Sequence, residues 1–191
     1  MNASRAFAIA FVALSMLVCA PVQAASLESV ADFVEVNSNQ FQILNAILMS
    51  HDYTAYLAES ASNTLFLVPD AAFVRAFSGY LSSGSQTSVA DVIQAVHEAS
   101  PEAVERFFLQ HIVGVNYANP EALVEAGSAK DGADTSLLFY HTGAYYAVQS
   151  DDGYAAGIVG PIAFPIGKST VYIVDNVLGN PSIVTGVAMS R

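Results

Sequence analysis

The stretch that most constrains the fold is TLFLVPDAAF, from Thr64 to Phe73. The apolar run at 65–68 predicts a buried strand with Thr64 at its start. Pro69 ends the strand because it has no N–H to donate to a neighbour. Asp70 is then predicted to be the N-cap of a helix, with its carboxylate accepting hydrogen bonds from amides of the first turn. A hydrophobic strand that leads into a capped amphipathic helix is typical of a core element, and nothing in it indicates catalysis.

The first 24 residues are predicted to be a secretory signal. Arg5 precedes an apolar run over 6–20, and small residues stand before a cleavage point after Ala24. The apolar run is short for a membrane span, and a retained N-terminal anchor is the alternative. The one cysteine, Cys19, lies in this segment, so we expect no disulfide in the domain that follows.

The chain is acidic, with 17 Asp and Glu residues, 6 Lys and Arg residues and a formal net charge of -11. Such a surface repels nucleic acid and anionic lipid. We therefore expect no nucleic-acid partner, and no membrane span once the signal is cleaved.

Helical periodicity comes first along the chain, and β-branched or aromatic runs come later. Predicted helices cover 26–36 and 40–50 and begin again after Ser88, Ser100 and Asn119. Predicted strands in the C-terminal third cover 137–141, 144–149, 154–159 and 170–177. Helices followed by strands, without regular alternation, predict an α+β domain. We place a single domain at 26–182, after the signal at 1–24 and before a C-terminal tail at 183–191.

No catalytic or metal-binding pattern is present in the sequence. The histidines are scattered and show no zinc-ligand spacing: His51, His97, His111 and His141. A Gly-x-Ser-x-Gly nucleophile turn is absent, and the segment 167–170 (GKST) lacks the upstream glycine of a phosphate loop. We therefore predict no enzymatic activity, no metal site and no cofactor.

Tyrosines cluster in the predicted strands of the C-terminal third. The candidates for a binding face are Tyr140, Tyr145, Tyr146 and Tyr154. On paired strands such side chains alternate between the core and the surface. Ordinary cross-strand packing is one interpretation, and an amphipathic sticky face or an apolar ligand groove is the other. The sequence leaves both open.

Three stretches, in order over roughly residues 38–181, resemble the fasciclin-like (fasciclin I-type) domain. Residues 64–73 resemble its first signature box, 108–113 (FLQHIV) its central Tyr-His motif and 171–178 (VYIVDNVL) its second box. The matching positions are Thr64, Phe66, Pro69, Asp70, Phe73, His111, Tyr172, Asp175 and Leu178. Three positions depart from the family pattern: Pro69 stands one place late, Gln110 replaces a tyrosine, and Tyr172 stands where histidine is common.

The resemblance implies N-terminal helices packed on a mostly antiparallel β-sheet or wedge, with structural roles for the matching residues. His111 is then expected to be a hydrogen-bonding spacer at a helix-to-strand junction. Asp175 is expected to accept hydrogen bonds at the end of a core strand.

The resemblance also implies a function, namely a secreted, non-catalytic binding module in cell adhesion or in matrix or surface interaction. Its location would be extracellular or periplasmic. Its partners would be an extracellular protein, a polysaccharide or a second copy of the chain. Because some microalgal members carry carotenoids, the alternative is a soluble carrier of an apolar small molecule such as a carotenoid.

Overall fold

Most helices precede most strands along the chain, which confirms the predicted α+β class. The computed structural model describes residues 29–50, 53–57, 62–81, 86–159 and 163–186. The predicted signal and His51 lie outside the described residues. Within these ranges the helices are α1 (Val30–Val36), α2 (Gln42–Ser50), α3 (Thr54–Leu57), α4 (Asp70–Phe77), α5 (Val89–Glu98), α6 (Pro101–Leu109), α7 (Pro120–Ala126) and α8 (Ser182–Thr185).

Three of the predicted helix starts are confirmed by their caps. The side-chain oxygens of Ser88, Ser100 and Asn119 each accept a hydrogen bond from the third amide of α5, α6 and α7, respectively. Each cap satisfies one of the amides that a helix N-terminus otherwise leaves without a partner. Local sequence alone is therefore sufficient to start these helices.

The strands form two four-stranded sheets. Sheet A has the order β2 (Ile112–Val113), β1 (Thr64–Leu67), β8 (Ser169–Ile173) and β7 (Phe164–Ile166). Sheet B has the order β3 (Ser128–Lys130), β4 (Ser136–His141), β5 (Tyr146–Ser150) and β6 (Ala155–Gly157). The β1–β8 pair is parallel, and the other pairs are antiparallel. The sheets are therefore mostly antiparallel, as predicted.

Two strands were not predicted, and one predicted strand is too long. The strands β3 and β7 have three residues each, too few to show a period. The strand predicted at 170–177 ends at Ile173, after which Val174 forms an isolated bridge with Ile158 at the edge of sheet B. The chain leaves sheet A at this point, and the bridge connects it to the edge of sheet B.

The central strand β1 is buried on both faces. The Phe66 ring lies 5.9 Å from Tyr172 in sheet A and 6.1 Å from Phe139 in sheet B. Leu65 and Leu67 line a small internal cavity together with side chains of α2, α4 and α6. Because β1 is covered on both sides, its residues are continuously apolar rather than alternating.

Asp70 caps a different helix from the one predicted. It is the first residue of α4, and the N-cap position belongs to Pro69, which makes no side-chain cap. The Asp70 carboxylate instead accepts from the amides of Gln42 at 3.0 Å and Ile43 at 2.9 Å, the first two residues of α2. The Asp70 amide donates to the Gln40 carbonyl at 2.9 Å, and this bond keeps the start of α2 next to the Asp70 carboxylate. The predicted N-cap is therefore wrong, because tertiary structure supplies a second helix terminus that favours the negative charge.

The packed domain continues beyond residue 182. The helix α8 contacts α5 and α6, and its Val184 is buried. The predicted tail at 183–191 therefore begins too early, and residues 187–191 lie outside the described residues.

Candidate functional site

His111 joins the end of α6 to the segment that precedes α8. Its Nδ1 lies 2.9 Å from the Phe107 carbonyl, and the Leu178 amide donates to its Nε2 at 3.0 Å. Because an amide N–H can only donate, Nε2 must be unprotonated, and Nδ1 carries the ring hydrogen. Burial lowers the pKa of His111 to about 4, so the ring is neutral at pH 7. Both ring nitrogens are therefore engaged by the backbone.

Thr64 and Tyr172 both form hydrogen bonds with the loop between β2 and α7. The Thr64 hydroxyl donates to the Val115 carbonyl and accepts from the Tyr117 amide, both at 2.8 Å. The Tyr172 hydroxyl donates to the Tyr117 carbonyl at 2.8 Å. Burial, followed by the negative charge of Glu121, raises the pKa of Tyr172, which keeps this hydroxyl a donor. The apolar residues of the motifs, Phe66, Phe73 and Leu178, are buried in the core.

Asp175 lies at the junction of the two sheets. Its Oδ1 accepts from the Gly157 amide at 2.7 Å, and its own amide donates to the Gly157 carbonyl at 3.0 Å. From the last turn of α4, Arg75 Nη2 donates to the Asp175 carbonyl at 2.6 Å. Asp175 therefore follows β8 rather than lying inside the predicted strand, and it joins α4 to the edge of sheet B.

Two tyrosines of the predicted binding face are engaged elsewhere. The Tyr146 hydroxyl donates to Glu121 at 2.5 Å, which lowers the pKa of the Glu121 carboxyl and raises that of Tyr146. The Tyr154 and Tyr80 hydroxyls lie 2.8 Å apart. Burial, with this hydrogen bond, raises the pKa of Tyr154. The structure therefore does not bring the four tyrosines onto one surface.

The other two, Tyr140 and Tyr145, line a groove of about 400 Å³ on the outer face of sheet B. Cross-strand register places Ala147 opposite Tyr140, and Gly157 opposite Ala147. Directly opposed residues share a sheet face, so this face carries a large side chain on β4 and small residues on β5 and β6. The step from the large to the small residues creates the concavity, and Ala155 extends its floor. The volume lies within the range of about 300–1,000 Å³ typical of small-molecule sites.

The second wall of the groove is polar, formed by Arg75, Asp175 and Asn176. The Asn176 side-chain amide donates to the Ala155 carbonyl at 3.0 Å, which fixes this wall to β6. Asp175 Oδ2 and Asn176 Oδ1 accept no hydrogen bond from the described residues, and Arg75 forms no ion pair with a described acidic side chain. Hydrogen-bonding capacity therefore remains on this wall for a ligand.

The sequence indicated only part of this site. It named Tyr140 and Tyr145 as candidates for a binding face, together with Tyr146 and Tyr154, but did not indicate Arg75 or Asn176. A signal for the floor was present, because small residues recur at alternate positions of the predicted strand at 154–159. No local pattern could associate Arg75 with Asp175, since 100 residues separate them.

Other features of the described part of the chain offer less for binding. No group of three or more His, Cys, Asp or Glu side chains there could hold a metal ion. The enclosed apolar cavity beside β1 measures about 10 Å³, room for about one water molecule. No helix in the described ranges is long and apolar enough to cross a membrane.

Comparison with known proteins defines the class of fold. No protein-family model matches the chain, and no curated protein matches it. Among solved structures, the chain is similar to a FAS1 domain pair from the insect cell adhesion molecule fasciclin I, with a TM-score of 0.62 and 12% sequence identity. The similarity covers 82% of this chain and 52% of that pair, so the chain spans about half its length. The chain has the fasciclin-like fold, which confirms the predicted resemblance at the level of structure.

Proposed function

We propose that the chain is a secreted, non-catalytic binding module that acts in cell adhesion or in matrix or surface interaction, in an extracellular or periplasmic location. The groove between Tyr140, Tyr145 and the Arg75 wall is its contact site. The observation that carries this proposal is the combination of aromatic rings and available polar groups in one concave surface. The fold by itself does not determine function, and the groove is the feature of the molecule that supports a binding role.

A non-catalytic role is supported by the surroundings of two polar residues of the motifs, His111 and Asp70. The ring nitrogens of His111 are engaged by Phe107 and Leu178. The carboxylate of Asp70 is engaged by two amides of α2. A general base must lie within reach of a substrate proton, whereas both groups are buried and already hydrogen-bonded to the backbone.

Charge supports a partner that is not strongly anionic. The chain carries a formal net charge of -11, so an acidic surface would be repelled at long range. An extracellular protein that is not acidic or a neutral polysaccharide fits this constraint, whereas a second copy would have to overcome the repulsion between two chains of charge -11. A single module gives weak adhesion, and assembly or a multivalent partner would raise its avidity.

The test is binding of the purified chain to cells and to extracellular matrix, with Tyr145→Ala compared with Leu138→Ala. These residues are matched, since Tyr145 is 52% exposed and Leu138 is 50% exposed, but only Tyr145 lines the groove. Tyr145→Ala should weaken binding, and Leu138→Ala should not. Equal binding by both variants and the unmodified protein would show that the groove is not the contact site.

The mass of the secreted protein should show cleavage after Ala24.

The second candidate, a soluble carrier of an apolar molecule such as a carotenoid, is favoured by the apolar part of the same groove. Tyr140, Tyr145, Ala147 and Ala155 offer apolar surface to a ligand. A visible absorption band in the protein purified from its native source, eluting with the monomer, would support the carrier. A colourless protein would favour the adhesion module.

A further inference from the structure

The floor of the groove admits a flat ring. Ala147, Ala155 and Gly157 expose little beyond backbone and methyl groups, while Tyr140 and Tyr145 form the aromatic side. A Cβ at position 157 would lie 3.2 Å from Asp175 Oδ2, a tight contact, and glycine avoids it next to the polar wall. A ring that lies along this floor can offer a C–H-rich face to a tyrosine ring.

The opposite wall carries both signs of charge without pairing them. Arg75 donates to the backbone carbonyl of Asp175, and no ion pair with a described carboxylate neutralises its guanidinium. Asp175 is exposed, and its Oδ2 accepts no hydrogen bond from the described residues. A donor-only group and an acceptor-only group thus face the same space.

This pair of charges selects against three ligand classes. An anion would approach Asp175 in a chain whose formal net charge is -11. A cation would approach the Arg75 guanidinium. A purely apolar molecule could pack on the tyrosines, but if it filled the groove it would remove Arg75 and Asp175 from water without replacing their hydrogen bonds, which counts against the carrier.

A neutral polyhydroxylated ring satisfies all of these constraints. Each hydroxyl both donates and accepts, so neighbouring hydroxyls can accept from Arg75 and donate to Asp175 Oδ2 or Asn176 Oδ1. The apolar face of such a ring can pack on Tyr145, as carbon-rich surfaces pack on aromatic rings elsewhere. We infer that the groove binds a neutral sugar residue of an uncharged polysaccharide or glycan. This inference rests on the proposed function, because it names the ligand class of the same groove.

The test is calorimetric titration of the full chain with defined probes. The neutral probes are the hexasaccharides of β-1,4-glucose, β-1,4-mannose and β-1,4-galactose. The acidic probe is the hexamer of galacturonic acid, and the apolar probe is β-carotene in neutral detergent micelles. At least one neutral hexasaccharide should bind saturably and more tightly than the acidic and apolar probes.

Three variants locate the binding. Tyr145→Ala should weaken the neutral sugar by about tenfold through loss of the ring contact. Ala155→Tyr should abolish binding by filling the floor at an exposed position, where the core is not disturbed. Leu138→Ala lies on the same sheet face outside the groove and should bind as the unmodified protein does. Far-ultraviolet circular dichroism checks that all three variants are folded.

The possible failures are distinguishable. Absence of saturable binding to every neutral hexasaccharide at millimolar concentration would overturn the sugar inference. Tighter binding of galacturonate or β-carotene that is lost in Tyr145→Ala would also overturn it, yet would leave the groove as a binding site. If Leu138→Ala weakens sugar binding as much as Tyr145→Ala does, the sugar binds outside the groove and the inference is overturned. The groove variants could also weaken sugar binding and leave cell or matrix binding unchanged. That result would support the sugar site and refute the proposed adhesive role of the groove.

Discussion

Protonation of His111 should destabilise the fold in mildly acidic solution. The neutral ring donates from Nδ1 to the Phe107 carbonyl and accepts at Nε2 from the Leu178 amide. A proton added to Nε2 would face the Leu178 N–H, so that two donors oppose each other in a buried site. The native state therefore requires the neutral imidazole, whereas the unfolded chain does not.

The size of the effect follows from the lowered pKa. Burial brings the pKa of His111 from its ordinary value of 6.5 to about 4 in the folded protein. Between these values the unfolded chain binds a proton that the native state does not, and each pH unit costs about 1.4 kcal/mol of stability. The contribution is fully present above pH 6.5 and is lost as the pH falls toward 4. From pH 7 to pH 5 the loss amounts to about 2 kcal/mol.

The assay is urea unfolding at pH 7 and pH 5. At pH 7, His111→Ala should lower the free energy of unfolding by about 1–3 kcal/mol, because the Leu178 amide loses its buried acceptor. On moving to pH 5, the unmodified protein should lose about 2 kcal/mol more than His111→Ala, which cannot titrate at this position. His97→Gln, at an exposed site on α5, should behave as the unmodified protein does.

Equal losses in the unmodified protein and His111→Ala would refute the argument that the native state excludes the proton. An unchanged free energy of unfolding in His111→Ala at pH 7 would refute the structural role of the ring. If the alanine variant does not fold, His111→Gln supplies a non-titrating side chain of closer size for the same comparison.

Three further changes probe other polar groups by urea unfolding at pH 7. Asp70→Ala should cost about 1–2 kcal/mol, because two amides of α2 lose their cap; a cost near zero would contradict that role. Gln110→Leu should raise stability by about 1–2 kcal/mol, since the fully buried side-chain amide of Gln110 has no hydrogen-bond partner among the described residues; destabilisation would show that the amide is satisfied. Tyr80→Phe should cost about 1 kcal/mol by leaving the Tyr154 hydroxyl without its partner, and an unchanged stability would argue against that bond.

Much of the secondary structure was predictable because its signals are local. Ser88, Ser100 and Asn119 cap helices within three residues of themselves. The strands β3 and β7 were not predicted, because three residues are too few to show a period. Each lies at the edge of its sheet and pairs with one longer strand.

The candidate site was predictable only as far as its tyrosines. The aromatic cluster indicated a binding face, yet Tyr146 and Tyr154 reach partners in α7 and beyond α4. Their hydroxyls are hydrogen-bonded to side chains 25 and 74 residues away in the chain. Such pairings depend on the packing of elements, which a single strand's pattern does not encode.

By itself, the sequence determined the α+β class, the central strand at β1 and the order of the three motifs, because each depends on neighbouring residues. Tertiary structure alone decided which helix Asp70 caps and which tyrosines line the groove. It also placed Arg75 beside Asp175 across 100 residues of chain to form the polar wall of the groove. The physical reason is that hydrogen-bond donors and acceptors pair with the nearest suitable group in space, and folding, rather than chain order, sets that distance.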